Sequence, residues 1–195
     1  MDEVILKIPE HYPMTDDELF ELCVANKELR IERDENGQLI IMSPAGGITG
    51  NINFKLTGIF SQWMEENAHL GYGFDSATGF RLRDKSMRSP DVSFVKKEKW
   101  EALSLEDQEK FAPVCPDFVI ELRSKSDSLE QLKSKMEKWI SNGCELGWLI
   151  DPIEKKSYIY KPNLSTKEVN GFDKLLSGED LLPGFELDLS RLSVK

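Results

Sequence analysis

Apolar residues recur along this chain with two spacings, one helical and one that alternates every second residue. Residues 15–29 begin with a Thr-x-x-Glu capping-box pattern, which predicts a first helix. The apolar positions of residues 51–68 recur at helical spacing and predict a second, longer helix. A third helix is predicted over residues 126–142, between a Ser-Asp-Ser cap and Gly143.

Short β-branched runs predict strands in the remaining parts of the chain. Two of them flank Asn36-Gly37, a dipeptide that is a strong signal for a hairpin turn. The charged stretch 98–111 interrupts the strands and is predicted to be a helix-prone excursion at the surface. The predicted strands lie at residues 29–34, 38–42, 72–75, 79–82, 91–96, 117–122, 146–150 and 158–160.

Helices and strands in this order predict a mixed sheet flanked by helices, which is an α/β (α+β) layered fold. The length of 195 residues suits a single domain with one substantial core. We expect the core of that domain at about 29–162 and an irregular C-terminal extension at 163–195. The extension includes the segment 181–185, which is predicted to pack as an irregular end.

Two of the predicted strands carry a carboxylate into an apolar, β-branched run. Asp91 opens the run 91–96, and Glu121 lies near the end of the run 117–122. Burying an unpaired carboxylate costs several kcal/mol or more, so such an acid usually has a partner, a metal or a raised pKa. If these strands are neighbours, the two carboxylates converge and offer a seat for a divalent cation. A cation held there could bind a water, lower its pKa and polarise a phosphoryl oxygen.

Two basic residues are candidates for stabilising charge on such a phosphate. Arg123 stands two positions after Glu121, so strand alternation puts both side chains on one face. A guanidinium stabilises charge but does not act as a base. Lys135, on the third predicted helix, falls roughly 40° beyond one edge of the apolar stripe of that helix, and it can therefore reach back towards the strands.

The charge balance is acidic, with 35 acidic against 25 basic residues and a formal net charge of −10. This balance counts against passive capture of nucleic acid, although basic clusters at 96–99 and 123–138 leave room for a local patch. Excess carboxylate also suits a metal site. No apolar run approaches the roughly 20 residues of a membrane span, and three scattered cysteines form no disulfide framework. A cytoplasmic protein without a membrane partner is the default expectation.

At these residues the chain resembles the restriction-endonuclease-like superfamily, whose pattern is Pro-Asp, a spacer, and then Asp/Glu-x-Lys. The closer resemblance is to its putative-restriction-endonuclease branch, a bacterial group still largely of unknown function. The likeness runs from about residue 30 to 190, and the order and spacing of the motifs are more specific than any one of them. The motifs are Leu39 to Pro44, Gly46 to Asn51, Arg88 to Val92, Phe118 to Leu122, Ser124, Ser126-Asp127, Lys135 with Trp139, and Asn142-Gly143 through Asp151.

The resemblance implies a nuclease-like central sheet in which Asp91 and Glu121 are ligands of Mg²⁺ (or Mn²⁺). In this branch the motif lysine is displaced from the strand to the following helix, where it corresponds to Lys135. An acid from the first hairpin strand also tends to join the site, and Glu32 matches that acid. Arg123 stands in the place of the usual lysine of the superfamily.

Each of these residues also has an ordinary structural explanation. Asp91 follows a proline and could simply end a strand edge. Glu121 could form an ion pair without metal, and a helical lysine such as Lys135 is usually solvated. Glu32 stands among alternating charges, which makes a surface ion pair at least as good an explanation as a place in the site.

The first functional hypothesis is a Mg²⁺-dependent endonuclease that hydrolyses phosphodiester bonds in DNA and acts as a homodimer. Asp91 and Glu121 hold the metal in it, together with Glu32. Lys135 orients or deprotonates the attacking water, and Arg123 neutralises the phosphate. The alternative is a catalytically weak or inactive nuclease fold that serves as a binding or assembly module, tied to mobile elements. A third, weaker hypothesis is a metal-dependent hydrolase of another phosphoester.

Overall fold

The computed structural model describes residues 4–9 and 13–193. These residues form five α-helices, thirteen short strands and one 3₁₀ helix, Leu189–Leu192. The helices are α1 (Asp16–Ala25), α2 (Gly47–Glu66), α3 (Lys97–Glu101), α4 (Leu105–Glu109) and α5 (Leu129–Asn142). The strands are β1 (Val4–Leu6), β2 (Arg30–Arg33), β3 (Leu39–Met42), β4 (Gly71–Asp75), β5 (Phe80–Arg81), β6 (Met87–Arg88), β7 (Val92–Lys96), β8 (Phe118–Leu122), β9 (Leu146–Asp151), β10 (Lys156–Tyr160), β11 (Lys167–Asn170), β12 (Leu175–Ser177) and β13 (Glu186–Asp188).

Six of the strands form the central sheet, in the order β11-β10-β9-β8-β7-β4. β8 and β9 run parallel, and the other neighbours in this sheet are antiparallel. α5 joins the parallel pair, because parallel strands need a crossover connection and a helix is its usual form. The predicted mixed sheet flanked by helices is therefore confirmed.

Two helices cover the two faces of the central sheet. α2 packs on one face, where its Phe60 joins a core that includes Ile120. α5 packs on the opposite face, where Met136 and Trp139 contact a core that includes Val119. Successive residues of a strand point to opposite faces, which explains why Val119 and Ile120 belong to different cores. The end of β8 therefore lies directly beneath α5.

The predicted hairpin is confirmed and belongs to a second sheet, in the order β1-β3-β2-β6-β5. Its turn contains Gly37, whose positive φ of 81° favours glycine. α1 packs on this sheet through Leu19, which shares a core with Ile31 and Leu39. Ile31 faces that core, so its neighbour Glu32 points to the opposite side of β2.

The helices begin and end near their predicted limits, with one clear exception. α1 opens with the predicted capping box of Thr15 and Glu18, although it ends about one turn early. α5 ends at Gly143, which adopts a left-handed conformation with a φ of 114°. α2 begins at Gly47 rather than at residue 51, because residues 47–50 are already helical. Within the described residues, no helix is both long enough and apolar enough to span a membrane.

The C-terminal part of the chain is more regular than the sequence predicts. β11 pairs with β10 and extends the central sheet, and β12 and β13 form a separate antiparallel pair. Phe185 and Leu187 are buried in the core on the α2 side of the sheet. Residues 181–185 contain no helix or strand and pack through Phe185, as predicted, whereas the extension as a whole is a structured cover over that face.

Candidate active site

The two strand carboxylates lie side by side at one end of the central sheet. Asp91 directly precedes β7, and the pairing of Val92 with Ile120 brings it alongside the end of β8. The backbone N–H of Asp91 donates to the carbonyl of Ile120 at 3.0 Å. In return, the N–H of Leu122 donates to Asp91 Oδ2 at 2.8 Å. Asp91 therefore adjoins Glu121, as the sequence predicts if β7 and β8 are neighbours.

Lys135 reaches this pair from α5. Met136 and Trp139 anchor the buried face of α5, and Lys135 lies beside them with its side chain only 15% exposed. Its ammonium Nζ lies 3.0 Å from Glu121 Oε1 and 2.9 Å from Glu32 Oε1. The expectation that this lysine turns back to the strands is confirmed, and the explanation of a solvated helical lysine is wrong.

Glu32 joins the same cluster from the second sheet. It is 2% exposed, so the interpretation as a surface ion pair is wrong. Its Oε1 accepts a hydrogen bond from the backbone N–H of Ser89 at 3.0 Å as well as one from Lys135. Its Oε2 accepts a hydrogen bond from Arg88 Nη1 at 3.0 Å. Both oxygens of Glu32 are therefore bound by groups of the protein itself.

Two side chains hold the strand carboxylates in place. Asn53, on α2, donates from Nδ2 to Asp91 Oδ1 at 2.8 Å. Trp139, on α5, donates from its indole Nε1 to Glu121 Oε1 at 2.8 Å. Each acid is thus oriented by a helix that packs on the sheet next to it.

Burial governs the ionisation of the two strand acids. It raises the pKa of Asp91 above its ordinary value, although the Leu122 N–H and the charges of Lys135 and Arg30 act in the opposite direction. Burial also raises the pKa of Glu121 to about 7, and the negative charges of Asp91 and Glu32 add to the effect against the attraction of Lys135. These raised values indicate that further positive charge would be stabilising here.

Lys135 and Glu32 keep their ordinary charges. Burial disfavours the ammonium of Lys135, but its ion pairs with Glu121 and Glu32 outweigh burial and raise its pKa. Burial likewise disfavours the carboxylate of Glu32, but Lys135 and Arg88 outweigh that effect and lower its pKa. Lys135 is therefore a persistent cation between two acids.

Arg123 does not join this cluster. Its Nη1 donates to Asp151 Oδ2 at 2.6 Å, and its Nε donates to the carbonyl of Asp127 at 3.4 Å. Asp151 is fully buried, so the guanidinium serves to neutralise that carboxylate. β8 ends at Leu122, and the strand alternation that predicts a common face for Arg123 and Glu121 does not extend past it.

Three residues of the cluster were not predicted from the sequence. Asn53, Arg88 and Trp139 each bind an acid of the cluster across at least 18 residues of sequence. Trp139 and Arg88 stand within the resembling motifs, but no spacing assigns them a partner. In addition, Oδ1 of Asn53 is buried and has no hydrogen-bond partner among the described residues.

The oxygens of the cluster fit a divalent cation in part. Carboxylate and amide oxygens are the ligands that Mg²⁺ prefers, and Asp91, Glu121 and Asn53 provide them. Within residues 4–9 and 13–193, no three His, Cys, Asp or Glu side chains are arranged to hold a metal ion. The ammonium of Lys135 lies between Glu32 and Glu121, where a metal ion bound by both acids would otherwise lie. The residues therefore suit an ion held by two strand carboxylates rather than by three.

A cleft of about 1140 Å³ lies away from this cluster. It is bounded by the β2–β3 turn, the loop before α1 and residues 102–115, and Arg81 and Asn142 are among its lining residues. Asp91, Glu121 and Lys135 do not line it. The candidate active site is therefore the side-chain cluster and not the cleft.

A family model described as Uma2, putative restriction endonuclease, matches residues 16–190 of the chain. The chain belongs to this family. The match includes Glu32, Asp91, Glu121 and Lys135, and it confirms the resemblance that the order of the motifs indicates. A search of curated proteins finds no match for this Uma2-family protein.

A solved structure with the same fold supports the architecture. It is described as a putative nuclease belonging to DUF820 from Anabaena variabilis, and it superposes on this protein with a TM-score of 0.71. The sequences are 19% identical, and the similarity covers 85% of this chain and 90% of the other. At this identity the comparison establishes a shared nuclease-type fold.

Proposed function

We propose that this Uma2-family protein is a Mg²⁺- or Mn²⁺-dependent endonuclease that hydrolyses phosphodiester bonds in DNA. The observation that carries the proposal is the convergence of Asp91, Glu121 and Lys135 at one end of the central sheet. Membership of a restriction endonuclease family supports the same chemistry. A cytoplasmic location is part of the proposal, since the three cysteines of the protein are free thiols, as is usual in a reducing compartment.

In this proposal Asp91 and Glu121 hold the metal ion from adjoining strands. Asn53 and the N–H of Leu122 orient Asp91, and Trp139 orients Glu121. When bound, the ion supplies a Lewis acid that lowers the pKa of a water and offsets charge on the phosphoryl oxygens. The two acids fix the position at which the ion would bind, because their hydrogen-bond partners leave each carboxylate little rotational freedom.

Lys135 acts as a cation beside the reacting groups. Its raised pKa keeps it protonated at neutral pH, which favours orienting the attacking water over deprotonating it. Glu32 and the carbonyl of Ser89 accept hydrogen bonds from Nζ at 2.9 and 3.2 Å and hold the ammonium in place. We therefore propose that Glu32 positions the lysine, while its predicted role as a third metal ligand stays a prediction.

A specific observation favours the alternative of a catalytically weak binding or assembly module. Lys135 already neutralises Glu121, so the cluster is satisfied in part without any metal ion. The net charge of −10 also counts against tight binding of DNA. The two functions differ in one measurable property, because only the enzyme needs the carboxylates to bind a divalent cation.

Titration calorimetry with Mn²⁺ and Mg²⁺ tests the metal first. The wild type is expected to show a metal-linked heat that Glu121→Gln lacks, because the amide carries no charge for the ion. A wild type without any such heat would count against the enzyme and favour the module.

Cleavage of supercoiled plasmid DNA in Mn²⁺ then tests the chemistry. Lys135→Met is expected to lose most of the activity, since the ammonium that orients the attacking water is removed. Lys133→Met is the matched control, because Lys133 lies on the same helix with its side chain 33% exposed, and its contacts with Glu130 and the ring of Tyr158 lie outside the cluster. Equal activity of the two variants would remove Lys135 from the mechanism.

We further propose that the protein forms a homodimer. β1 is at the edge of its sheet, and Val4, Ile5 and Leu6 are 60%, 55% and 48% exposed there. An apolar edge strand of this kind favours pairing with a second chain. Sedimentation analysis is expected to give a dimer that Ile5→Lys weakens, and a monomeric wild type would contradict it.

A further inference from the structure

The sheet register places a third strand end next to Asp91. β4 pairs with β7 so that Asp75 lies opposite Val92. Ser76 directly follows β4 and Asp91 directly precedes β7, so both residues lie at the same end of these paired strands. The end of the central sheet therefore presents Ser76, Asp91 and Glu121 in succession across three strands.

Arg30 reaches this row from the second sheet. It begins β2 two residues before Glu32, so both side chains leave the strand on the same face. Its Nη2 donates a hydrogen bond to the carbonyl of Ser76 at 2.7 Å. β2 thus crosses the site, with Glu32 on the side of Lys135 and Arg30 on the side of Asp91.

Arg30 differs from the other cations near the acids in its exposure and its partners. Lys135, Arg88 and Arg123 each form an ion pair with a carboxylate that is buried. Arg30 is exposed, and among the described residues no carboxylate lies within ion-pair distance of it. A single backbone carbonyl holds the guanidinium, which leaves most of its five N–H donors for another acceptor.

We propose that Arg30 binds a phosphate of the substrate beside Asp91, the role that the sequence assigns to Arg123. This inference rests on the proposed function. A guanidinium suits this role because its planar fork can donate two parallel hydrogen bonds to one phosphate. The carbonyl of Ser76 fixes the orientation of the fork before the substrate arrives.

Plasmid cleavage in Mn²⁺ tests the inference with three variants. Arg30→Ala is expected to lower kcat/KM by about tenfold or more, because a charge-assisted hydrogen bond to the substrate is lost. Arg30→Lys is expected to fall in between, since an ammonium keeps the charge without the fork. Arg83→Ala is the matched control, because Arg83 is also exposed and its loss changes the net charge equally. It is expected to stay within twofold of the wild type.

Binding of a fluorescein-labelled duplex in Ca²⁺, measured by anisotropy, separates the inference from the proposed function. Arg30→Ala is expected to raise Kd about tenfold and to reduce the salt dependence of log Kd by about one, while Arg83→Ala changes neither. If the wild type does not cleave plasmid DNA but Arg30→Ala binds the duplex more weakly than the wild type, the proposed function alone is overturned. Arg30→Ala that cuts and binds like Arg83→Ala overturns the inference alone. A wild type that neither cuts nor binds the duplex overturns both.

Discussion

A lysine between two buried acids is the central feature of this protein at the scale of single residues. Glu32 and Glu121 are 2% and 3% exposed, and both lie within ion-pair distance of Lys135. Buried charges of this kind contribute little as a pair, but removing one partner leaves the others uncompensated. The same arrangement that supports chemistry therefore also constrains stability.

Lys135→Met is expected to lower the free energy of unfolding by about 3 kcal/mol at pH 8, where Glu32 and Glu121 would both be buried without the ammonium. Urea denaturation measures the loss. Lys133→Met again serves as the control and is expected to change stability by about 1 kcal/mol at most, because it loses a surface ion pair with Glu130 and a cation–π contact with Tyr158. A Lys135→Met variant as stable as the control would show that the cluster is open to water.

The raised pKa of Glu121 predicts a pH dependence with a definite sign. The folded protein holds this proton up to about pH 7, whereas the unfolded chain releases it near the ordinary glutamate pKa of 4.5. Between these values the folded state binds more protons, so the contribution of Glu121 to stability falls as pH rises through that window. Glu121→Gln cannot lose a proton there.

The stability of Glu121→Gln relative to wild type is therefore expected to increase between pH 5 and pH 8, by on the order of 2 kcal/mol. Guanidinium denaturation of both proteins at several pH values measures this difference. Curves that run parallel across the window would mean that Glu121 is ionised throughout. Metal binding is expected to weaken below pH 7 for the same reason, because the ion must displace the proton.

Local sequence spacing predicts some members of the cluster and misses others for a physical reason. Asp91 and Glu121 are visible as charges in apolar strands, and Lys135 is visible at the edge of a helical stripe. Asn53 and Arg88 are polar residues whose partners lie 38 and 56 positions away, and only the packing of whole elements brings them together. Arg123 is predicted on the wrong side because the strand ends one residue before it.

At the scale of elements, α2 and α5 position the side chains of the site. A glycine within α2 and a glycine at the end of α5 test the backbone conformation of these two helices. Gly58 lies within α2 at an exposed position where an added Cβ meets no atom within 4 Å. Gly143 follows α5 with a φ of 114°, a left-handed conformation that favours glycine. Substitution by alanine should therefore have opposite effects at the two positions.

Gly58→Ala is expected to stabilise the protein by about 0.5–1 kcal/mol, because alanine loses less conformational entropy in a helix. Gly143→Ala is expected to destabilise it by about 1 kcal/mol, because a Cβ strains the left-handed cap. Urea denaturation of the two variants beside wild type measures both effects. Destabilisation by Gly58→Ala would contradict the exposed helical position of that residue.

Element limits are predicted well where a side chain or a glycine marks them. The cap of α1 and the stop of α5 are of this kind, and the structure agrees with both. β1 and β6, which the sequence does not predict, have only three and two residues, which is too short for alternation to identify a strand. They exist because partner strands satisfy their backbone groups, and such partners are not visible in local sequence.

At the scale of the whole molecule, the C-terminal cover completes the core on which α2 rests. Phe185 lies with its ring 5.7 Å from that of Trp148 and 5.2 Å from that of Phe60, measured between centroids. The cover therefore contacts both α2 and the central sheet. Asn53 and Asp91 meet at the same boundary between helix and sheet, so the cover supports the geometry of the site from behind.

Phe185→Ala is accordingly expected to cost about 3–5 kcal/mol, because a buried aromatic ring is replaced by a cavity. Leu175→Ala is the control within the same segment, since Leu175 is 58% exposed and its loss is expected to change stability by less than about 0.5 kcal/mol. Thermal and urea denaturation measure both variants. A single cooperative transition in wild type that Phe185→Ala shifts as a whole indicates one folding unit. A Phe185→Ala variant that matches Leu175→Ala would instead make residues 163–193 a dispensable appendage.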